Sequence, residues 1–272
     1  MFKDITIGQY YPEDSIIHRL DPRAKIIIMF LYIITLFFIN NYLAYFFAFI
    51  YLISIIKLSK VPLKFIMKGL KPLKWIIIIT FVINIFLIPG EVIWRYGILK
   101  ITDEGLNTAL LMAIRLTMLV MGTSLLTLTT SPIEMTDGIE ELLKPLRRVG
   151  VPSHEIAMMM TIALRFIPTL IEETDKIMKA QIARGADFES GNLFSRAKNL
   201  IPLLVPLFVT SFRRADELAI AMEARCYKGG EGRTKLKQLK YKKADYLAYL
   251  LNIGFFIILA SIKYIWEYFI WI

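Results

Sequence analysis

Long apolar runs, separated by short charged stretches, occupy most of the first half of the chain and return at its end. Each run approaches the ~20 residues that an α-helix needs to cross a bilayer. Runs with so few charges are typical of membrane-spanning helices, so the pattern predicts about five of them. The runs are residues 24–39, 42–56, 75–88, 105–129 and about 245–262.

Residues 130–244 break this pattern, because charged and apolar positions are mixed throughout. A helix exposed to lipid would not tolerate that many charges, whereas an amphipathic helix outside the bilayer would. Three such helices are predicted, at 133–149, 153–184 and about 194–225, the last bent or broken near its two prolines. The predicted fold is therefore an all-α integral membrane protein with cytosolic amphipathic helices added to its spans.

Composition and charge set the expected orientation. Hydrophobic residues make up 56% of the 272 residues, and the formal net charge is +10. The lysines cluster beside apolar runs, where the positive-inside rule places them, so we expect no nucleic-acid partner. The predicted protein crosses the cell membrane several times, with a cytosolic N-terminus and an external C-terminus. Its predicted domains are 1–129 with four spans, the cytosolic region 130–244, and 245–272 with the last span.

Two basic segments lie next to predicted spans. Asp21 can cap the first helix with Pro22 at its first position, which puts Arg23 and Lys25 at the level of the lipid headgroups. Between the second and third runs, lysines recur every three or four residues among apolar side chains. This spacing predicts a basic amphipathic strip on the anionic cytosolic leaflet. Its lysines are Lys57, Lys60, Lys64, Lys68, Lys71 and Lys74.

Two of the predicted cytosolic helices end in similar tripeptides, each an arginine between small residues. An arginine in the last turn of a helix complements the helix dipole, worth roughly 0.3–1 kcal/mol, which would explain one of them. The small neighbours in both copies favour a second interpretation, in which a partner approaches the backbone closely and an acidic groove binds the guanidinium. The tripeptides are Ala183-Arg184-Gly185 and Ala224-Arg225-Cys226.

Aligning these two helix ends also sets a pair of acidic residues against a pair of basic ones. Glu172 and Glu173 of the earlier helix match Arg213 and Arg214 of the later helix. Opposite charges at matching positions predict that the two helices cross and pair there. The alternative is that all four side chains are solvated, since exposed pairs contribute only ~0–1 kcal/mol.

Some residues in apolar surroundings have an open role. Methionines 158–160 are consecutive, and methionine is most often a filler of apolar cores. A flexible methionine-rich surface also suits a protein that accepts several partners. Arg115 and Arg165 would be costly in lipid, so each is expected to turn inward or to reach the interface.

The chain resembles the transmembrane T component of energy-coupling factor (ECF) transporters, a family that includes the membrane subunits of cobalt, nickel and biotin importers. The resemblance covers nearly the whole chain. It depends on the N-terminal motif from Ser15 to Lys25, with His18 and Asp21 in it, and on the two Ala-Arg-Gly-like tripeptides. Cys226 departs from the glycine usual in the family, so a less sharply terminated helix is expected there.

This resemblance implies a non-catalytic subunit that couples ATP hydrolysis to the uptake of vitamins or transition-metal ions. The implied partners are two ATP-binding-cassette (ABC) ATPase subunits and a small substrate-capturing S component. Each signature arginine would dock in a groove of one ATPase, and Met158, Met159 and Met160 would lie on the face that contacts the S component. The ATPase-docking residues are then Arg184, Arg225, Ala183, Gly185, Ala224 and Cys226.

Two other classes stay open from the residues alone: a membrane-embedded enzyme and a stand-alone secondary transporter. His18 and His154 lie far apart and belong to no metal-ligand pattern, and no ATP-binding loop of the form Gly-x-x-x-x-Gly-Lys-Ser/Thr is present. Inverted repeats within the spans and paired intramembrane carboxylates are not evident. No catalytic residue, cofactor or metal ion is therefore predicted.

Overall fold

The computed structural model describes residues 10–96, 99–188, 192, 194, 198–230 and 238–270. Two antiparallel strands connect α4 to α5, and a 3₁₀ helix, Lys144–Val149, follows α6. The strands are β1 (Val92–Tyr96) and β2 (Leu99–Thr102). The α-helices are α1 (Pro22–Phe38), α2 (Tyr42–Ser59), α3 (Leu63–Leu70), α4 (Lys74–Leu87), α5 (Asp103–Thr129), α6 (Pro132–Leu143), α7 (Ser153–Ala183), α8 (Ile201–Ala224) and α9 (Lys243–Ile270).

The described chain forms two compact units. Residues 10–138 and 238–270 make up one of them, which we call the bundle unit. Residues 139–230 make up the other, which contains α7 and α8 and which we call the helix-pair unit. The predicted boundaries at residues 130 and 244 were drawn from charge patterning, and they stay a prediction.

The predicted all-α membrane fold is confirmed, with one small addition. α1, α2, α4 and α5 match four of the predicted apolar runs to within three residues at each end. The addition is the β1–β2 hairpin, in the loop that the charge pattern predicts to be external. Its strands contain β-branched and aromatic residues, which favour extended backbone even in a short loop.

Three helices among the described residues are long and apolar enough to cross a membrane: α2, α5 and α7. The pair α3 and α4, which meet at a bend of 57°, would make a fourth span. α1 has only 17 residues. α7 qualifies because most of its charges lie in its C-terminal half, which leaves an apolar stretch long enough for a span. Only 6% of that stretch is buried. The number of five spans and the cytosolic position of α7 stay predictions.

The bundle unit is centred on α5, which packs against the first four helices. Leu36, Leu52 and Met118 are among its fully buried side chains. Gly122 permits a close approach of α1 to α5, since a Cβ there would lie 2.6 Å from a ring carbon of Tyr32. Because lipid is as apolar as these side chains, close packing rather than exclusion of water holds such helices together.

Arg115 of α5 is buried in this unit and connects three helices. Its Nε donates a hydrogen bond to Tyr45 Oη (2.7 Å), and its Nη2 donates to Ile39 O (2.9 Å) and Asn40 Oδ1 (2.8 Å). Ile39 follows the last residue of α1, so the guanidinium satisfies a carbonyl at a helix C-terminus. Arg115 therefore turns inward and fixes the α1–α2 turn, whereas Arg165 is exposed on α7.

Candidate functional site

The C-terminal end of α7 is a Schellman motif, in which two N–H groups turn back to the last free carbonyls. Gly185 N–H donates to Ile182 O and Ala186 N–H donates to Gln181 O, both at 2.9 Å. Gly185 has φ +91°, a left-handed conformation that costs glycine little because it has no Cβ. Arg184 is therefore the last residue before the chain reverses, and its side chain is exposed.

The C-terminal end of α8 has the same motif. Cys226 N–H donates to Glu223 O (2.8 Å), and Tyr227 N–H donates to Met222 O (3.0 Å). The expectation of a less sharply terminated helix at Cys226 is wrong, because this residue takes the left-handed conformation itself, with φ +57°. That conformation costs a residue with a Cβ about 1–2 kcal/mol. Arg225 thus occupies the same position on α8 as Arg184 does on α7.

Both signature arginines are exposed, and their side chains have no partner among the residues that the structure describes. Within the part of the chain that the structure describes, neither guanidinium takes part in a hydrogen bond or an ion pair. The residues around them are small and equally exposed, and a Cβ built on Gly185 would meet nothing within 4 Å. Each helix end therefore offers accessible backbone and one exposed cation. The small residues are Ala183, Gly185, Ala224 and Cys226.

The structure brings together one of the two predicted acid–base pairs of α7 and α8. Arg214 Nη2 donates to Glu173 Oε1, and the two side chains are 30% and 20% exposed. Glu173 Oε2 is buried without a hydrogen-bond partner among the described residues. Glu172 and Arg213 are exposed instead. The rotation of each helix decides this outcome, because neighbouring positions on a helix point in different directions.

A second contact joins the same two helices at a proline. Pro206, inside α8, has no N–H to donate to Pro202 O, the carbonyl four residues earlier. Gln181 Nε2 of α7 donates to that oxygen at 3.4 Å. The predicted break lies just before Pro202, where the turn at Leu200 separates the helical residues 198–199 from α8, whereas α8 runs without a break through Pro206. The predicted start near residue 194 falls in a stretch that lies partly outside the described residues.

The start of α7 is tied to the chain that follows α8. His154, in the first turn of α7, forms a hydrogen bond through Nδ1 with Glu140 Oε1 (3.1 Å). Gly230 packs against the imidazole ring, and a Cβ there would lie only 2.4 Å from Cδ2. Sequence spacing gives no signal for this contact, because the residues involved are far apart along the chain.

The helix-pair unit also presents apolar surface. Met158 is half-buried, whereas Met159 and Met160 are exposed. On α8, a stripe of large apolar side chains recurs with the three- and four-residue spacing of one helix face, and each member is at least 45% exposed. We call it the α8 stripe. Its members are Ile201, Leu204, Val205, Phe208, Val209 and Phe212.

The N-terminal motif lies in the bundle unit and caps α1. Asp21 accepts hydrogen bonds from Arg23 Nε (3.0 Å) and Nη2 (2.9 Å), and its own N–H donates to the buried Asp245 Oδ1 (2.8 Å). Burial favours the neutral acid, but the hydrogen bonds from Arg23 outweigh it and lower the pKa of Asp21. Asp245 also accepts from Lys242 N–H (2.6 Å), so it holds the starts of α1 and α9 together.

Lys25 and His18 complete this network. Lys25 is 6% exposed and its Nζ donates to His18 O (3.0 Å) and Thr129 O (2.8 Å), so its side chain turns inward, and its level relative to the lipid headgroups stays a prediction. Burial lowers the pKa of His18. His18 Nε2 lies 3.1 Å from Tyr11 O. Because a carbonyl can only accept, Nε2 carries the proton of the neutral ring and donates to Tyr11 O. Nδ1 therefore accepts from Ser15 Oγ (2.7 Å). Ser15, Asp21 and Lys25 are therefore buried members of a hydrogen-bond network, whereas Ile16 and Arg19 of the same motif are exposed.

Comparisons with known proteins cover both units. The family model described as cobalt transport protein, CbiQ, matches residues 13–236. The chain is 61% identical over 248 residues to the energy-coupling factor transporter transmembrane protein EcfT of Thermosediminibacter oceani, covering 91% of this chain and 94% of that protein. The protein of the same name from Clostridium kluyveri is 61% identical over 252 residues, covering 92% and 93% of the two chains.

A more distant relative covers the same region. The EcfT protein of Bacillus subtilis is 50% identical over 246 residues, which are 90% of this chain and 93% of that protein. The matched residues include the N-terminal motif and both arginine-tipped helices. The chain therefore belongs to the CbiQ family, among the transmembrane components of energy-coupling factor transporters.

Proposed function

We propose that this chain couples ATP hydrolysis by two ABC ATPase subunits to substrate uptake through a separate S component. The observation that carries the proposal is the pair of matching helix ends, each with an exposed arginine that has no partner among the described residues. The names of its relatives, as energy-coupling transmembrane proteins, support the same role. The chain itself acts as a mechanical subunit and not as an enzyme.

The docking step uses Arg184 and Arg225. A guanidinium binds a carboxylate through two parallel hydrogen bonds, so an acidic groove on each ATPase is its natural partner. The small residues beside each arginine let the wall of the groove reach the backbone. Because the two ends have the same Schellman geometry, they fit two grooves of similar shape, one on each ATPase subunit.

The transmission step uses the contacts between α7 and α8. The ion pair of Arg214 with Glu173 and the hydrogen bond from Gln181 to Pro202 O join the two helices. A displacement that an ATPase imposes on one helix end is therefore passed to the other helix. This chain of contacts is the physical route that we propose between ATP binding and the S component.

The substrate-facing step uses the exposed apolar surface of the helix-pair unit. The α8 stripe, with Met159 and Met160 on α7, offers adaptable apolar area to a membrane-embedded S component. Specificity for a vitamin or a transition-metal ion then resides in that partner. In this arrangement the protein lies in the cell membrane, with its N-terminus in the cytosol and its C-terminus outside.

The test is ATP-driven uptake by the reconstituted complex in proteoliposomes. Arg184→Glu with Arg225→Glu is expected to reduce uptake at least ten-fold and to release the ATPases, because each new carboxylate is repelled by an acidic groove. Lys176→Glu with Lys198→Glu is the matched control, since it makes the same charge change at exposed positions of the helix-pair unit. Normal uptake by the arginine variant would contradict the proposal.

Co-purification separates this function from the other two classes. The tagged chain, extracted from its native membrane in mild detergent, is expected to bring two ABC ATPases and one or more small hydrophobic proteins. If the chain purifies alone and converts a lipid substrate, the enzyme class is favoured. If it purifies alone and sustains ion-driven uptake in liposomes, the secondary-transporter class is favoured.

A further inference from the structure

The short helix α3 (Leu63–Leu70) is fixed to the bundle unit by one side only. Ile66 is fully buried, and the ring of Phe65 lies 5.1 Å from the ring of Tyr11. Gly69 faces α5, where a Cβ would lie 2.3 Å from Ser124 Oγ. These contacts set the rotation of α3, so its remaining positions point away from the protein.

The outward side of α3 has two neighbouring arcs of different chemistry. Leu63 and Met67 are 52% and 51% exposed and form an apolar arc next to the buried side. Beyond them, at about 100° per residue, come Lys64, Lys68 and Lys71, all exposed. We call these three residues the lysine arc. Around the helix, the order is therefore buried side, exposed apolar arc and lysine arc.

The lysine arc has no counter-charge within the described part of the chain. None of its three ammonium groups forms a salt bridge with a residue that the structure describes. No aspartate or glutamate occurs between residues 57 and 90, and three more exposed lysines lie nearby. Lys68 stacks over the Phe65 ring at 5.0 Å, which holds that ammonium at the edge of the helix where the lysine arc meets the buried side.

The helix after α3 indicates where this surface lies. α4 (Lys74–Leu87) is strongly apolar and has no buried residue, which is typical of a helix that faces lipid. α3 meets it at a bend of 57°, so the axis of α3 is inclined to that of α4 and its outward side faces a different direction. A helix in that position, with apolar and cationic arcs side by side, has the form of an interfacial helix.

We propose that the lysine arc binds the phosphate of an anionic phospholipid, while Leu63 and Met67 contact its acyl chain. Ammonium groups form charge-assisted hydrogen bonds with phosphate oxygens, and clustered lysines beside a span attract anionic headgroups. An acidic protein or a free phosphate would match the lysines but leave the apolar arc uncovered. The site lies in the bundle unit and does not depend on the proposed coupling function.

The test is a lipid titration of the purified full-length chain in a neutral detergent, with bound lipid counted by native mass spectrometry. Dioleoyl phosphatidylglycerol is compared with dioleoyl phosphatidylcholine, which has the same chains and no net charge. We expect preferential binding of phosphatidylglycerol that weakens as salt is added. Equal binding of the two lipids would overturn the proposal.

Substitutions then locate the site. Lys64→Gln, Lys68→Gln and Lys71→Gln together are expected to weaken phosphatidylglycerol binding about 100-fold, since each lysine near an anionic surface contributes a factor of roughly five. Lys176→Gln, Lys179→Gln and Lys228→Gln remove the same charge from exposed positions of the helix-pair unit and should change little. Wild-type binding by the first variant, or equal loss in the control, would overturn the assignment.

A second pair of measurements tests whether the ligand is an intact lipid. Leu63→Asn with Met67→Asn should weaken binding of phosphatidylglycerol but leave binding of glycerol 3-phosphate, its soluble headgroup fragment, unchanged. Full displacement of the lipid by millimolar glycerol 3-phosphate would instead identify a free phosphate site and overturn the lipid assignment. All substituted side chains are exposed, so each variant is expected to fold. Size-exclusion chromatography checks this.

Discussion

The two units place arginine in opposite environments: Arg115 is buried in the bundle unit, whereas the two signature arginines are exposed in the helix-pair unit. Arg115 is 9% exposed and donates hydrogen bonds to Tyr45, Ile39 O and Asn40. Arg184 and Arg225 are exposed and have no partner within the described residues. A buried cation with satisfied donors stabilises the fold, whereas an exposed cation at a helix end contributes little to stability and is available for binding.

The largest effect is expected from Arg115→Met. The substitution leaves three acceptors around the α1–α2 turn without their donor, which costs roughly 3 kcal/mol of the free energy of unfolding. Thermal unfolding in detergent measures the loss. Arg184→Met and Arg225→Met are the matched controls, and each should change stability by less than ~0.5 kcal/mol. Equal losses in all three variants would break the contrast between the two units.

The next effect concerns the two helix ends that otherwise match. Cys226→Gly should stabilise the end of α8 by roughly 1 kcal/mol, because glycine has no Cβ penalty in the left-handed conformation. Gly185→Ala should destabilise the end of α7 by a similar amount. Amide hydrogen exchange at Ala186 and Tyr227, the residues that close the two motifs, reports each change locally. Cys226→Ala keeps the Cβ and is expected to be neutral.

The smallest effect distinguishes the two predicted acid–base pairs. A double-mutant cycle between Glu173→Gln and Arg214→Gln should give a coupling energy of about 0.5–1 kcal/mol, because the pair is partly buried. The same cycle for Glu172→Gln and Arg213→Gln should give a value near zero, since both residues are exposed. Equal couplings would mean that α7 and α8 are rotated differently from the arrangement described above.

In the bundle unit, local sequence patterns predicted the helices but not the contacts that connect them. The ends of α1, α2, α4 and α5 follow from where apolar runs stop, which is a property of neighbouring residues. The acceptors of Arg115 lie up to 76 residues away, and the bond from Asp21 N–H to Asp245 spans 224 residues. No local pattern encodes such distances, so the inward role of Lys25 and the capping role of Asp245 had to come from the structure.

The sequence predicted the two arginines of the candidate site but not the geometry of the helix ends that hold them. The repeated tripeptides identified Arg184 and Arg225 because a duplication is visible in sequence. The expectation at Cys226 was wrong because a propensity for glycine was taken as a requirement, whereas the hydrogen bonds of the Schellman motif hold cysteine in the same conformation. α8 continues through Pro206, and the carbonyl that this proline cannot satisfy accepts a hydrogen bond from Gln181 of another helix, a contact that no local rule about proline includes.

Cys226 is the one cysteine of the chain, and it is exposed beside Arg225. The wild-type sequence therefore already contains a unique attachment point for a maleimide fluorophore or spin label at the tip of α8. Its rate of alkylation measures how much of the tip is covered, and the emission of a fluorophore or the mobility of a spin label there reports changes in the surroundings of the tip. Both readouts require no engineered residue.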